Sequence, residues 1–156
     1  MNLSPAEITA IRTEASHYEK PSAAAIEALK LIQAERGWVS DENLRELAAL
    51  LDMSPAELDS VATFYNLIYR RPVGKRVIHY CNSVSCWMLG AEEVKESLCR
   101  KLGVKLGETT ADGQFTLLPI VCLGACDKAP VVMVGDKTHF NVSSAKLDEL
   151  LQPGVD

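Results

Sequence analysis

Four of the five cysteines in this chain fall into two tight pairs. Cys81 and Cys86 have four residues between them, Cys122 and Cys126 have three, and thirty-five residues separate the pairs. Four thiolates are a usual ligand shell for a soft or borderline metal, either a zinc ion or the irons of an iron–sulfur cluster. Structural zinc sites favour two-residue spacing within each pair, and both pairs here are wider. A cluster with two irons spreads its thiolates over two centres, so each pair can clasp one iron. With four thiolates such a site carries a formal charge of about −2 oxidised and about −3 reduced, which backbone N–H groups must offset. Leu123-Gly124-Ala125 suits that need, because small residues let amides approach sulfur, and Asn82-Ser83-Val84-Ser85 supplies amides and hydroxyls around the first pair. Few cations stand close in sequence, and Lys128 is offset by Asp127; this predicts a low reduction potential. Two blander readings stand beside the metal. The thiols could be buried packing residues spaced by chance, or a thiol–disulfide couple, although such couples normally use two-residue spacing.

Other residue types with chemical potential are scattered. Cys99 falls on a helical stretch near Val94 and Leu98 and reads as a core or boundary residue. His79 precedes Cys81 by two on the same strand face, where it could donate to a cluster sulfur or simply pack. His17 and His139 are far from any cysteine in sequence and read as surface residues. Trp87, beside Cys86, either shields the site, touches a partner or packs. Phe64 and Tyr65 read as core. The chain lacks the glycine-rich fingerprints of dinucleotide and phosphate loops, and no acid–base pair stands out. A one-electron centre without a site for a two-electron donor implies a relay working for a larger enzyme.

Composition sets the frame. The 156 residues suffice for one medium or two small domains, and 47% are apolar, enough to build a core. A net charge of −5 and a pI near 5.2 argue against nucleic-acid binding. No apolar run approaches membrane-spanning length, and the first twenty residues do not read as a secretory signal. A cytoplasmic location follows as the expectation, and there thiols stay reduced and serve metal or redox chemistry.

The elements that must position the cysteines divide into two blocks, residues 1–70 and 71–156. In the first, Ser4-Pro5-Ala6-Glu7 and Ser54-Pro55-Ala56-Glu57 are helix starts, with Ser as cap and Glu reaching back. Apolar stripes at Ile8, Ile11, Ala15 and Tyr18, at Ile26, Leu29 and Ile32, at Leu44, Leu47, Ala48 and Leu51 behind Ser40, and at Leu58, Val61, Ala62 and Tyr65 predict four amphipathic helices in a small bundle. Arg70 to Lys75, with a proline and a glycine, marks a boundary. Beyond it the spacing predicts a strand at Val77–Tyr80, a helix at Ala91–Leu102, a strand at Phe115–Pro119, a hairpin about Gly135-Asp136, and a last helix with Leu147, Leu150 and Leu151 capped by Ser143. Gln152 to Asp156 reads as a disordered tail. The fold class is α+β: a helical bundle followed by a thioredoxin-like domain. In a strand–helix–strand crossover the two strands run parallel, so Cys81 and Cys86 after the first and Cys122 and Cys126 after the second meet at one sheet edge.

Val61-Ala62-Thr63-Phe64-Tyr65, Tyr80-Cys81-Asn82-Ser83-Val84-Ser85-Cys86, and Thr116-Leu117-Leu118-Pro119 leading to Cys122-Leu123-Gly124-Ala125-Cys126-Asp127-Lys128-Ala129-Pro130 resemble the thioredoxin-like 2Fe–2S subunits of respiratory NADH:quinone oxidoreductases (complex I), called the E subunit in bacteria. The resemblance covers nearly the whole chain. It implies one 2Fe–2S cluster on Cys81, Cys86, Cys122 and Cys126, and leaves Cys99 without a role. It implies a flavoprotein partner that itself binds FMN and NADH, with the cluster near the flavin but off the main route to quinone. It further implies a place in the peripheral arm of a membrane-bound translocase on the cytoplasmic side, with no membrane insertion and no independent catalysis by this chain. Similar subunits serve NAD-linked hydrogenases and formate dehydrogenases, and the cysteine motif alone does not separate these assemblies. A zinc-stabilised interaction module is the alternative of a different class.

Overall fold

Three serines start helices in the first part of the chain. Ser4 opens α1 (Pro5–Ala15), Ser40 opens α3 (Asp41–Leu50) and Ser54 opens α4 (Pro55–Phe64), each accepting a backbone N–H three residues on. At Ser4 and Ser54 the glutamate at the third helical position returns the bond, with Glu7 and Glu57 accepting the serine N–H at 2.7 and 2.8 Å. Each cap of this kind contributes about 1 kcal/mol. Helix α2 (Ala25–Arg36) follows a 3-10 turn at Pro21–Ala24 and stops at Gly37. The computed structural model describes residues 3–152 of the chain and divides it into two compact units, one through Pro72 and the other from Val73.

The helices of the first unit bury Ile11, Leu29, Ile32, Leu47, Leu51 and Leu58 completely. Burial of a side chain of this size contributes about 1.5–3 kcal/mol. Polar clamps close the unit's rim. Arg36 grips the Glu7 carboxylate through Nε and Nη2, both at 2.7 Å. Gln33 binds the chain after α4 at both ends of its amide, donating to the Leu67 carbonyl at 2.7 Å and accepting the Tyr69 N–H at 2.6 Å. Arg70 reaches Asp59 at 2.8 Å, Asp41 at 2.6 Å and the Val39 carbonyl.

Two expectations for this unit need correction. Phe64 is 77% exposed and Tyr65 42% exposed, so neither is core. Helix α4 ends at Phe64, and Tyr65 turns to an extended ψ of 108°; the stripe's last position therefore leaves the helix face that Leu58 and Ala62 bury. The Phe64 ring instead meets Tyr65 edge-on, with centroids 5.3 Å apart. Tyr18 lies beyond the end of α1 and is exposed for the same reason.

The second unit is a four-stranded sheet in the order β2-β1-β3-β4. Strand β1 (Arg76–Cys81) pairs parallel with β2 (Phe115–Ile120) and antiparallel with β3 (Val132–Val134), which pairs antiparallel with β4 (Lys137–His139). Its core gathers Ile78, Tyr80, Leu117, Val132 and Val134 with Val94 and Leu98 of the long helix Ala91–Leu102. Gly74 enters the sheet where a Cβ would stand 3.0 Å from the backbone of residues 113–115. Only glycine fits so close an approach without a shift. Its N–H donates to Thr116 Oγ1 at 2.6 Å.

The sequence does not suggest the short helix α5 (Val84–Met88), which precedes the long helix, so Ala91–Leu102 is α6 and the last helix, Leu147–Leu150, is α7. Ser143 does not cap α7. Its carbonyl accepts the Lys146 N–H at 3.0 Å in a turn before the helix, and Lys146 holds the cap position. Of the tail expected to be disordered, Gln152 accepts a bond from Arg76 at 2.9 Å, and residues 153–156 lie outside the described residues. Among the described residues no helix is long and apolar enough to cross a membrane.

Candidate metal centre

The parallel register places Cys81 opposite Ile120, so the chain leaves β1 and β2 at the same level. Backbone bonds fix the first loop against both later segments: Cys81 donates to the Val131 carbonyl and Asn82 to the Ile120 carbonyl, each at 3.1 Å. Helix α5 then carries the chain back so that Cys86 lies beside Cys81. Both side chains are buried, at 1% exposure, in a small apolar cluster with Ala91, Ala129 and Val131, and Leu123 and Ala125 of the second loop pack onto it. The two loops, far apart in sequence, thus share one packed nucleus.

The second pair is open to solvent. Cys122 and Cys126 Sγ are 3.3 Å apart, and Gly124 donates its N–H to Cys122 Sγ at 3.4 Å. Gly124 holds a φ of +79°, a backbone conformation that a side chain would strain. The small-residue spacer thus does what its composition suggests. The serines of the first loop act on the opposite pair: Ser83 favours the thiolate of Cys122 and Ser85 that of Cys126. The backbone Ala129–Pro130 peptide beside this nucleus is cis.

These contacts divide the thiols electrostatically. Burial, with Cys81 adjacent, pushes the Cys86 thiol up to about 11. Cys122 is lowered, chiefly by the Gly124 N–H, while Cys126 is raised by the sulfur of Cys122 beside it. The outer pair therefore releases its first proton readily and its second reluctantly. A bound cation overcomes the second cost, because metal binding displaces thiol protons.

His79 is buried, and burial drives its imidazole down to about 4, so it is neutral at physiological pH. It is the packed residue of the two alternatives. His17 is exposed, whereas His139 is half-buried. Cys99 packs at the edge of the main sheet core, away from the paired cysteines. Trp87 and Met88 are 61% and 73% exposed, with Val84, Leu89 and Val121 also open, so an apolar surface surrounds the cysteine loops.

The donor chemistry fits a dinuclear cluster. Among the described residues no three His, Cys, Asp or Glu side chains close on a single ion; the sulfurs come as two pairs, one buried and one exposed, with the Gly124 N–H aimed at Cys122. Residues 11–153 match the family model of the thioredoxin-like 2Fe–2S ferredoxins. The chain belongs to that family. This ferredoxin is 47% identical over 150 residues to the E subunit of the NADH-quinone oxidoreductase of Escherichia coli strain K12, spanning 96% of this chain and 90% of that one. It is 46% identical over 153 residues to the E subunit of the Pseudomonas aeruginosa strain PAO1 enzyme, spanning 98% and 92%. Among solved structures, the NAD+-reducing NiFe hydrogenase in its H2-reduced state superposes with a TM-score of 0.68 at 24% identity over 81% of this chain and 21% of that chain, a likeness of fold.

Proposed function

We propose that this ferredoxin is the electron-transfer subunit of an NADH:quinone oxidoreductase and that Cys81, Cys86, Cys122 and Cys126 hold its 2Fe–2S cluster. The observation that carries the reading is the convergence of the two cysteine pairs at the ends of parallel neighbours, in a chain nearly half identical to the E subunit of that enzyme over almost its whole length. Bound there, the cluster supplies a relay that takes up and releases one electron at a time. The inner pair forms the fixed wall of the site, since Cys81 and Cys86 are locked in the packed nucleus. The outer pair forms the open wall, under the amide of Gly124. These donors disperse negative charge on sulfur without adding a cation.

The apolar rim of Trp87, Met88, Leu89 and Val121 faces a partner and excludes water from the gap. That partner is the flavoprotein subunit, which binds FMN and NADH and passes electrons singly. The chain itself has no dinucleotide fingerprint, and by itself it neither binds nor oxidises NADH. The assembly stands in the peripheral arm on the cytoplasmic side of the membrane. The two units act as domains, 1–70 and 71–156, the second carrying the redox centre and the first adding binding surface; small proteins need such surface to reach a stable interface.

The experiment has two stages. Iron, acid-labile sulfide and zinc are measured on anaerobically purified protein, with two irons and two sulfides per chain expected and no stoichiometric zinc. The loaded chain is then mixed anaerobically with its flavoprotein and NADH. The visible absorbance should bleach, and NADH alone should leave it unchanged. A chain that holds one zinc, or that oxidises NADH alone as fast as the mixture does, overturns the assignment.

A further inference from the structure

The two cysteine pairs differ in how their sulfurs can move. Cys81 is the last residue of β1, with its N–H bonded to the Val131 carbonyl at 3.1 Å, and Cys86 lies within α5. Both are enclosed in the small apolar nucleus, so each inner sulfur is tied to a regular element and shielded from solutes. Cys122 and Cys126 are exposed and flank a three-residue loop, with their Sγ atoms 3.3 Å apart. That separation exceeds the length of a disulfide bond by only about 1.3 Å. The loop has room to supply the difference. Gly124, at its centre, has no neighbouring atom within 4 Å of where a Cβ would stand, so open space lies beside the turn. The Cys122 sulfur also receives the Gly124 N–H at 3.4 Å, a donor that steadies negative charge on it.

We propose that Cys122 and Cys126 form a reversible redox latch. Before the cluster is bound, or after it is lost, a peroxide joins them in a disulfide that closes the site to metal and spares both sulfurs irreversible oxidation; a dithiol reductant reopens it. The inference rests on ligation by the four cysteines. The oxidation runs in two balanced steps. The Cys122 thiolate attacks one peroxide oxygen, the O–O bond breaks and an S–O bond forms, and the departing hydroxide takes up the proton that the thiol released, giving water. Cys126 then attacks the Cys122 sulfur. The S–S bond forms, the S–O bond breaks, and hydroxide leaves with the Cys126 proton as a second water. Two thiols have lost two electrons and the peroxide has gained them. The dithiol reverses the closure by exchange and becomes a disulfide itself. While the outer sulfurs are tied to each other, only the inner pair remains to ligate, and two thiolates do not make the four-sulfur shell of a two-iron centre.

The test uses the full chain, freed of metal anaerobically with a chelator, treated with an equivalent of hydrogen peroxide, then unfolded, alkylated and digested with trypsin. Each pair lies on its own peptide, residues 77–95 for the inner and 106–128 for the outer. In the mass spectrum, peptide 106–128 should lose two hydrogens and take no alkyl group, while peptide 77–95 should take two. Iron and sulfide uptake by the oxidised chain should fall by about tenfold or more and should return to the untreated level after dithiothreitol. C126S removes the second thiol, so dimedone should trap a sulfenic acid on Cys122, and C99A should behave as the native chain does. Oxygen gained by peptide 106–128 in the native chain, or a bridge joining the two peptides, overturns the latch. So does an oxidised chain that loads iron as fully as the reduced one, and so does C126S without the trapped acid. A reduced native chain that takes up no iron overturns ligation, and the latch's role with it; the iron analysis of the untreated chain separates that failure from the others.

Discussion

In the helical unit the large side chains of Ile11, Leu29, Ile32, Leu47 and Leu58 all point inward, and the serines at Ser4, Ser40 and Ser54 use their hydroxyls on their own helices. At the cysteine end of the second unit both habits reverse. Trp87 and Met88 face solvent, and Ser83 leaves its helix without a side-chain cap. The first unit is organised around its own stability, apart from Phe64 and Tyr65 exposed where α4 ends. The second holds a scaffold of the same quality in its sheet but relaxes local rules where loops, sulfurs and exposed apolar side chains meet. Such local violations are expected where a site binds a cofactor or a partner.

This contrast breaks most sharply at the cysteines. Replacing any of Cys81, Cys86, Cys122 or Cys126 with alanine is expected to abolish nearly all cluster absorbance, since each sulfur is one of the four proposed ligands. Cys99→Ala should leave the visible and EPR spectra intact. Iron loss in the Cys99 variant to the degree of a Cys122 variant would contradict the assignment.

A smaller effect should appear in the opposite unit. Leu29 is fully buried, and Leu29→Ala should destabilise the helices by about 2–5 kcal/mol while leaving the EPR signal of the loaded chain unaltered. Thermal unfolding followed by circular dichroism, beside the cluster absorbance, separates the two responses. Coincident loss of both signals in the variant would show that the units do not behave separately. Removal of the metal sharpens the comparison from the other side. Hydrogen exchange of residues 82–88 and 120–128 should accelerate about tenfold or more, since metal binding couples to local folding, whereas residues 25–35 should keep their protection. Equal acceleration in both would argue against two domains.

The smallest expected effect concerns pH. The Arg36 guanidinium, aided by the Ser4 amide, holds the Glu7 carboxyl down at about 2, from an ordinary 4.5. A carboxyl depressed on folding stabilises the native state above its unfolded value and loses that contribution as pH falls through the folded one. The helical unit should therefore lose about 1–2 kcal/mol between roughly pH 4.5 and pH 2, allowing for screening at the partly exposed arginine. Glu7→Gln should flatten that part of the profile in acid unfolding followed by circular dichroism. A native profile no steeper than the variant's would remove Glu7 as the cause.

Where the sequence speaks clearly, it speaks through repeating physics. Strand β1, helix α6 and the hairpin about Gly135 follow from periodicity and turn residues, and the meeting of the cysteine pairs follows from the parallel crossover alone. Tyr65 defeats the same reasoning because a stripe of apolar positions says nothing about where the helix carrying it stops, and Phe64, still inside α4, stands off that stripe. Helix α5 escapes because five residues, one of them a cysteine of the first pair, leave no room for a period. The uncapped start of α5 shows only once the backbone conformation of Ser83 is seen beside that of Ser54.

The unequal burial of the two cysteine pairs also gives the site a direction in time. A thiol reagent offered to metal-free chain should alkylate Cys122 and Cys126 well before Cys81 and Cys86, because the outer thiols are exposed and the first of their protons leaves readily, whereas the inner ones are enclosed. Mass spectrometry of a timed maleimide reaction reads that order directly, and simultaneous labelling of all four would refute it. Maturation would then run from the inside outward, with the inner pair already seated when the centre arrives and the outer pair closing last. Damage by oxidants would run the other way, starting at the door that was last to shut.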